Sequence, residues 1–112
     1  MSARAETRLW LAQRASAAVL ALCVAVHLAT LIVAVRGGLS AAEILGRTRG
    51  SLGWALFYGL FVLAVSVHAP IGLRTVAAEW LGWRGVDANV VCGLVAVLLL
   101  FLGACAIVAV TR

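Results

Sequence analysis

Two histidines stand inside long apolar runs, and they are the side chains here with the most chemistry to offer. His68 is the more informative. On a helix turning about 100° per residue, its face also carries Phe61, Ala64, Gly72, Thr75 and Glu79. Ala64 and Gly72, one turn away on either side, are small, which leaves a shallow groove with an imidazole in its middle. A flat macrocycle needs such a surface: a nitrogen for its iron and no bulk where the ring plane passes. Neutral imidazole is a common axial ligand of haem iron. A histidine hydrogen-bonded to a neighbouring helix accounts for the same residue, and spacing alone leaves both readings open. Pro70 offers no backbone N–H to the Ser66 carbonyl, so the helix is free to bend there.

His27 lies about 20 Å along a helix from Arg14, whereas His68 lies only about 9 Å from Arg74. If both arginines mark one interface, the histidines sit at different depths and are poorly placed to grip opposite faces of one haem. His27 is then the ligand of a second haem nearer the other surface, or a packing histidine bonded to a carbonyl or hydroxyl. Arg14 either sits at the headgroups or pairs with a haem propionate, for which a planar guanidinium is well suited. Cys23, Cys92 and Cys105 have no paired spacing for a metal or disulfide framework, and read as small packing residues.

The elements that position these groups follow from composition. Of 112 residues, 65% are hydrophobic and only 12% charged, far from the roughly one quarter charged of a soluble domain. Ala15–Val35, Ser51–Leu73 and Ala88–Thr111 carry no Asp, Glu, Lys or Arg. Each is long enough to cross a ~30 Å hydrocarbon core, and helices satisfy their own backbone there. The expectation is an all-α transmembrane chain, one domain over residues 1–112, with spans at about 12–35, 51–79 and 87–110. The second span is expected to run past Arg74 to about Trp80, and a short turn over 81–86 leads to the third. Between the first two spans, Ser40 followed by Glu43 is a capping-box pattern that predicts a one- or two-turn interfacial helix. Gly93 and Gly103 in the third span permit close helix contact, which marks that span as scaffolding.

Arg4, Arg8 and Arg14 before the first span imitate a signal peptide, but the apolar run is too long and no cleavage site precedes a hydrophilic domain. The net charge of +5 comes from nine arginines at helix ends, a pattern of membrane proteins and not of nucleic-acid binding. Five arginines fall on the N-terminal side and four on the other, a slight preference for a cytoplasmic N-terminus.

The second span reads His68-Ala-Pro-Ile-Gly72-Leu-Arg74-Thr-Val-Ala-Ala-Glu79-Trp80, and the first opens Gln13-Arg14-Ala15-Ser16. These segments resemble the small cytochrome b membrane-anchor subunits of succinate dehydrogenase and fumarate reductase, which carry His, then Gly four on, then an acidic residue seven further. Span count, spacing and length agree over the whole chain. The resemblance implies a three-helix anchor that pairs with a second anchor subunit around haem b, with one axial histidine from each. His68 is then the iron ligand, Arg14 the propionate partner, and Gly72 and Ala64 the haem-packing positions. His27 would serve a second haem, and Ser16, Glu79 and Trp80 would border a quinone. The same resemblance implies a flavoprotein and an iron–sulfur subunit as partners in a cell inner membrane. Electrons from succinate would pass through them to quinone, with no catalysis by this chain alone.

Three departures stand out. Glu79 replaces the usual Asp; Trp80 stands where one anchor type has Tyr, and indole donates but cannot accept; Gln13 and Trp10 replace the His and Ser of the other anchor type. The alternatives are a dihaem fumarate-reductase-type anchor, or a small structural or transport protein without haem. Multidrug-type carriers need four spans and a carboxylate in the first, and this chain has no acidic residue between Glu6 and Glu43.

Overall fold

Ser2 starts the first helix, its side chain accepting from the Ala5 N–H, and no Gly or Pro interrupts the chain from there to Gly37. In the computed structural model, which describes residues 2–112, helix α1 therefore spans Ala3–Gly37. This is longer than the expected span, because the basic lead-in is helical too: Ala, Arg, Glu and Leu are all good helix formers. At 1.5 Å per residue its 35 residues reach about 52 Å, well beyond a ~30 Å hydrocarbon core. Gly38 ends it with φ of 117°, and its N–H returns to the Ala34 carbonyl.

Helix α2, Ala41–Thr48, is the short helix that the capping box predicts, and both reciprocal bonds of the box between Ser40 and Glu43 are made. The Glu43 carboxyl is held below its ordinary pKa, first by the Ser40 hydroxyl, then by the Ser40 N–H and the nearby Arg47 charge. Helix α3, Leu52–Trp80, begins at Ser51, whose side chain accepts from the Trp54 N–H. It continues unbroken through Pro70, which is buried. Gly82, in the left-handed region at φ 64°, then folds the chain back so that the Trp83 N–H reaches the Ala77 carbonyl at 3.0 Å. Helix α4 runs from Val86 to Thr111. No strand occurs among the described residues.

Helix α3 lies in the middle, packed against α1 on one side and α4 on the other. The α1 seam is antiparallel: Ser16 meets His68, and Glu6 meets Arg74. The buried residues are small (Cys23, Ala34, Ala64, Ala77, Ala88 and Cys92 among the hydrophobic ones), and among the described residues no large side chain is fully enclosed. That is how helices associate when lipid removes the hydrophobic drive and close approach must supply the attraction. Gly103 shows it directly: an added methyl there would overlap the Val62 side chain, with the Val62 Cβ 3.1 Å away. At Gly93, by contrast, none of the described residues beyond its own stretch of helix lies within 4 Å of an added methyl, so it makes no such contact within the chain. Large Leu, Val and Ile side chains point outward along all three long helices, which are long and apolar enough to cross a membrane.

The end of α4 is capped from a distance. The last carbonyls of a helix have no partner within it. Here the Thr48 hydroxyl donates to the Val110 carbonyl, the Gly50 N–H to Thr111 at 2.7 Å, and Arg49 Nε to Arg112 at 2.9 Å.

Candidate functional site

The α1–α3 seam brings together most of the residues singled out in the sequence. His68 sits half-buried in the C-terminal half of α3, with Nδ1 3.5 Å from the hydroxyl of buried Ser16 on α1. The Ser16 hydroxyl also donates to the Gln13 carbonyl one turn back, at 3.1 Å. No bond engages His68 Nε2, and it is not among the enclosed unpartnered atoms. Ala64 is buried one turn before His68. Gly72, one turn after, lies beneath Gln13, where an added methyl would meet Gln13 Nε2 at 3.2 Å. The small neighbours of His68 thus also let α1 approach. Gln13 Oε1 is enclosed there without a partner.

Arg14 is exposed, its guanidinium 5.0 Å above the Trp10 ring in a cation–π arrangement. It borders a cavity of about 490 Å³ together with Gln13, Gly72, Arg74 and Thr75. Two guanidinium groups therefore flank one recess that opens a single turn from His68. Glu6, paired with Arg74, lines the same recess, so the charge an anionic group would meet there is chiefly that of Arg14.

Next to it lies a polar cavity of about 520 Å³, bordered by Glu6, Arg74, Glu79, Trp83, Arg84 and Asn89, among others. Arg74 ties all three long helices at this level: it pairs with Glu6 of α1 at 3.5 Å, and its Nε donates to Asn89 Oδ1 of α4 at 2.9 Å. Glu79 faces this cavity, while Trp80 is 83% exposed and lies outside it. Trp83 is the indole that lines it, brought back by the Gly82 turn. Sequence reasoning missed Trp83 and Asn89. Periodicity is lost beyond the helix end at Trp80, and the only signal for Asn89 is its polarity inside an apolar run.

His27 is remote from this group. It sits edge-on to Tyr58 and Phe61 of α3, with ring centroids 6.1 and 5.8 Å away, toward the other end of the seam. Eleven residues of α1 separate it from Ser16, about 16 Å of rise. Its Nδ1 is enclosed with no hydrogen-bond partner, and the ring borders an apolar cavity of about 260 Å³ with Thr48, Val62 and Gly103. The two histidines stand at different depths. Among the described residues, no group of three or more His, Cys, Asp or Glu is placed to hold a metal ion.

Searches among curated proteins and among solved structures found no match. The family described as succinate dehydrogenase/fumarate reductase transmembrane subunit matches residues 1–110, nearly the whole chain. With three helices able to cross a membrane, this is a multi-pass membrane protein and one subunit of a multi-subunit complex. The chain belongs to the transmembrane subunits of succinate dehydrogenase and fumarate reductase.

Proposed function

We propose that the chain is a haem b- and quinone-binding anchor, a single domain that passes electrons from an iron–sulfur subunit to quinone and docks the soluble subunits. The observation that carries this reading is His68. Its ring is partly accessible, Nδ1 is held by Ser16, and Nε2 makes no hydrogen bond. An imidazole so held fits an iron ligand better than a packing histidine, whose free nitrogen would seek a partner. The second axial histidine that the family resemblance implies would come from another chain, because His27 is too far along the seam to give it. A second anchor subunit would supply it. The group, when bound, supplies one-electron redox chemistry within the membrane. This chain's part would be to present His68, hold a propionate at Arg14, and keep the α1–α3 seam closed.

In the same reading the polar cavity beside Glu79, Trp83, Arg84 and Asn89 receives the quinone head, with Trp80 facing a partner or lipid. Ser16 then serves His68, since its hydroxyl is already engaged. The flavoprotein and iron–sulfur subunits dock at the surface carrying Arg4, Arg8, Arg14, Arg74 and Arg84, the cytoplasmic side of a cell inner membrane. One observation favours a second reading, a dihaem anchor: the enclosed, unpartnered Nδ1 of His27. Iron counted per complex separates the two.

The test is a His68→Ala variant of the purified complex, read by its reduced-minus-oxidised spectrum. Loss of a b-type band is expected. A band of full intensity refutes the assignment.

A further inference from the structure

The contact between Ser16 and His68 carries more than packing, because a serine has a single hydroxyl proton. That proton is directed to the Gln13 carbonyl, 3.1 Å away along the same helix. With its proton there, the oxygen would present lone pairs, not a hydrogen, toward His68 Nδ1 at 3.5 Å, a contact whose donor and acceptor follow the tautomer. A neutral imidazole has one N–H and one lone-pair nitrogen. With an acceptor facing Nδ1, the hydrogen belongs on Nδ1 and the lone pair on Nε2, the nitrogen that no bond engages.

We propose that Ser16 is a positioning residue that fixes the tautomer and rotation of His68, so that Nε2 is offered outward as a ligand nitrogen. Gln13 takes part through its backbone carbonyl, which draws the Ser16 proton away from the ring. The burial of Ser16, 7% exposed, keeps water from replacing its oxygen. An acceptor on the far nitrogen of a metal-bound imidazole also raises the basicity of the ligating one, and so favours the oxidised metal. This inference rests on His68 being the haem ligand and adds what sets its ring.

Ser16→Thr and Ser16→Val test it in the intact complex. The two side chains have the same shape, so any crowding at this buried site is common to both, and only the hydroxyl differs. Haem content and the midpoint potential of the b-type haem are measured for each, and for Ser16→Ala. The Thr variant is expected to keep both near those of the unaltered protein. The Val and Ala variants are expected to raise the midpoint potential and weaken haem retention about 10–100-fold. Identical potentials and haem retention in Thr and Val overturn the proposal, even if His68→Ala abolishes the b-type band. A full band in His68→Ala overturns the reading beneath it instead, so the two failures are told apart.

Discussion

Replacing Gly103 with Ala puts one methyl group where α4 meets α3, and the structure says what that methyl would strike. The Val62 Cβ would lie 3.1 Å from it and the Val62 Cγ2 2.7 Å, against about 3.5–4.0 Å for an unstrained carbon pair. Valine in a helix has one strongly preferred side-chain rotamer, so Val62 cannot simply rotate aside. The helices must then separate by roughly 0.5–1 Å, loosening their other contacts. Overpacking of this kind costs about 1–3 kcal/mol, offset by up to about 1 kcal/mol because Ala is the better helix former. The expected net loss is up to about 2 kcal/mol, measured by SDS titration of the detergent-solubilised protein followed by far-ultraviolet circular dichroism. Gly93→Ala is the control: with nothing within 4 Å, it is expected to be neutral or slightly stabilising. Val62→Ala removes the obstruction, so the double variant should recover most of the loss. A coupling energy near zero between positions 62 and 103, or equal behaviour of the two glycine variants, refutes steric contact as the basis of the seam.

Thr48→Val keeps the shape but removes the donor to the Val110 carbonyl, and is expected to cost about 1 kcal/mol and to hasten amide exchange in the last turn of α4; unchanged exchange there would count against the cap. Lowering the pH is expected to loosen α2: the Glu43 pKa is depressed by the Ser40 bonds, so the stabilisation is present above the ordinary glutamate value of about 4.3 and is lost as pH falls through the lower folded value. Amide exchange in α2, corrected for its intrinsic pH dependence, reads this out. Protection in α2 that persists in acid as it stands at neutral pH would refute the role of the box. Glu6→Gln should change stability by under about 1 kcal/mol, since Glu6 is 55% exposed and its pair with Arg74 is long, at 3.5 Å. Asn89→Ala should cost more than Glu6→Gln in the same titration, because the 2.9 Å bond to Arg74 is the better formed of the two.

The spans were legible because charge is excluded from them, and the Ser40–Glu43 turn because a capping box is local chemistry. The end of α3 at Trp80 agrees with the boundary expected ahead of the short turn over 81–86. What escaped the sequence depends on register between distant segments. Gly93 and Gly103 look alike on paper, and only the placement of Val62 distinguishes them. The pairing of Ser16 with His68 needs the antiparallel offset of α1 and α3, which no periodicity states. The first helix begins earlier than hydropathy suggests, because a basic segment of strong helix formers is helical whether or not it is apolar. The cap on α4 escaped for a further reason: its donors come from the α2–α3 junction, some sixty residues earlier in the chain.

Helix α1 is a single rod from Ala3 to Gly37, with no proline between its polar opening turns and the serine that touches His68. A rod without a joint is a lever. Leaning on its outer turns tilts the inner ones through the same angle, past the Glu6–Arg74 pair and Gln13 to the turn that meets the imidazole.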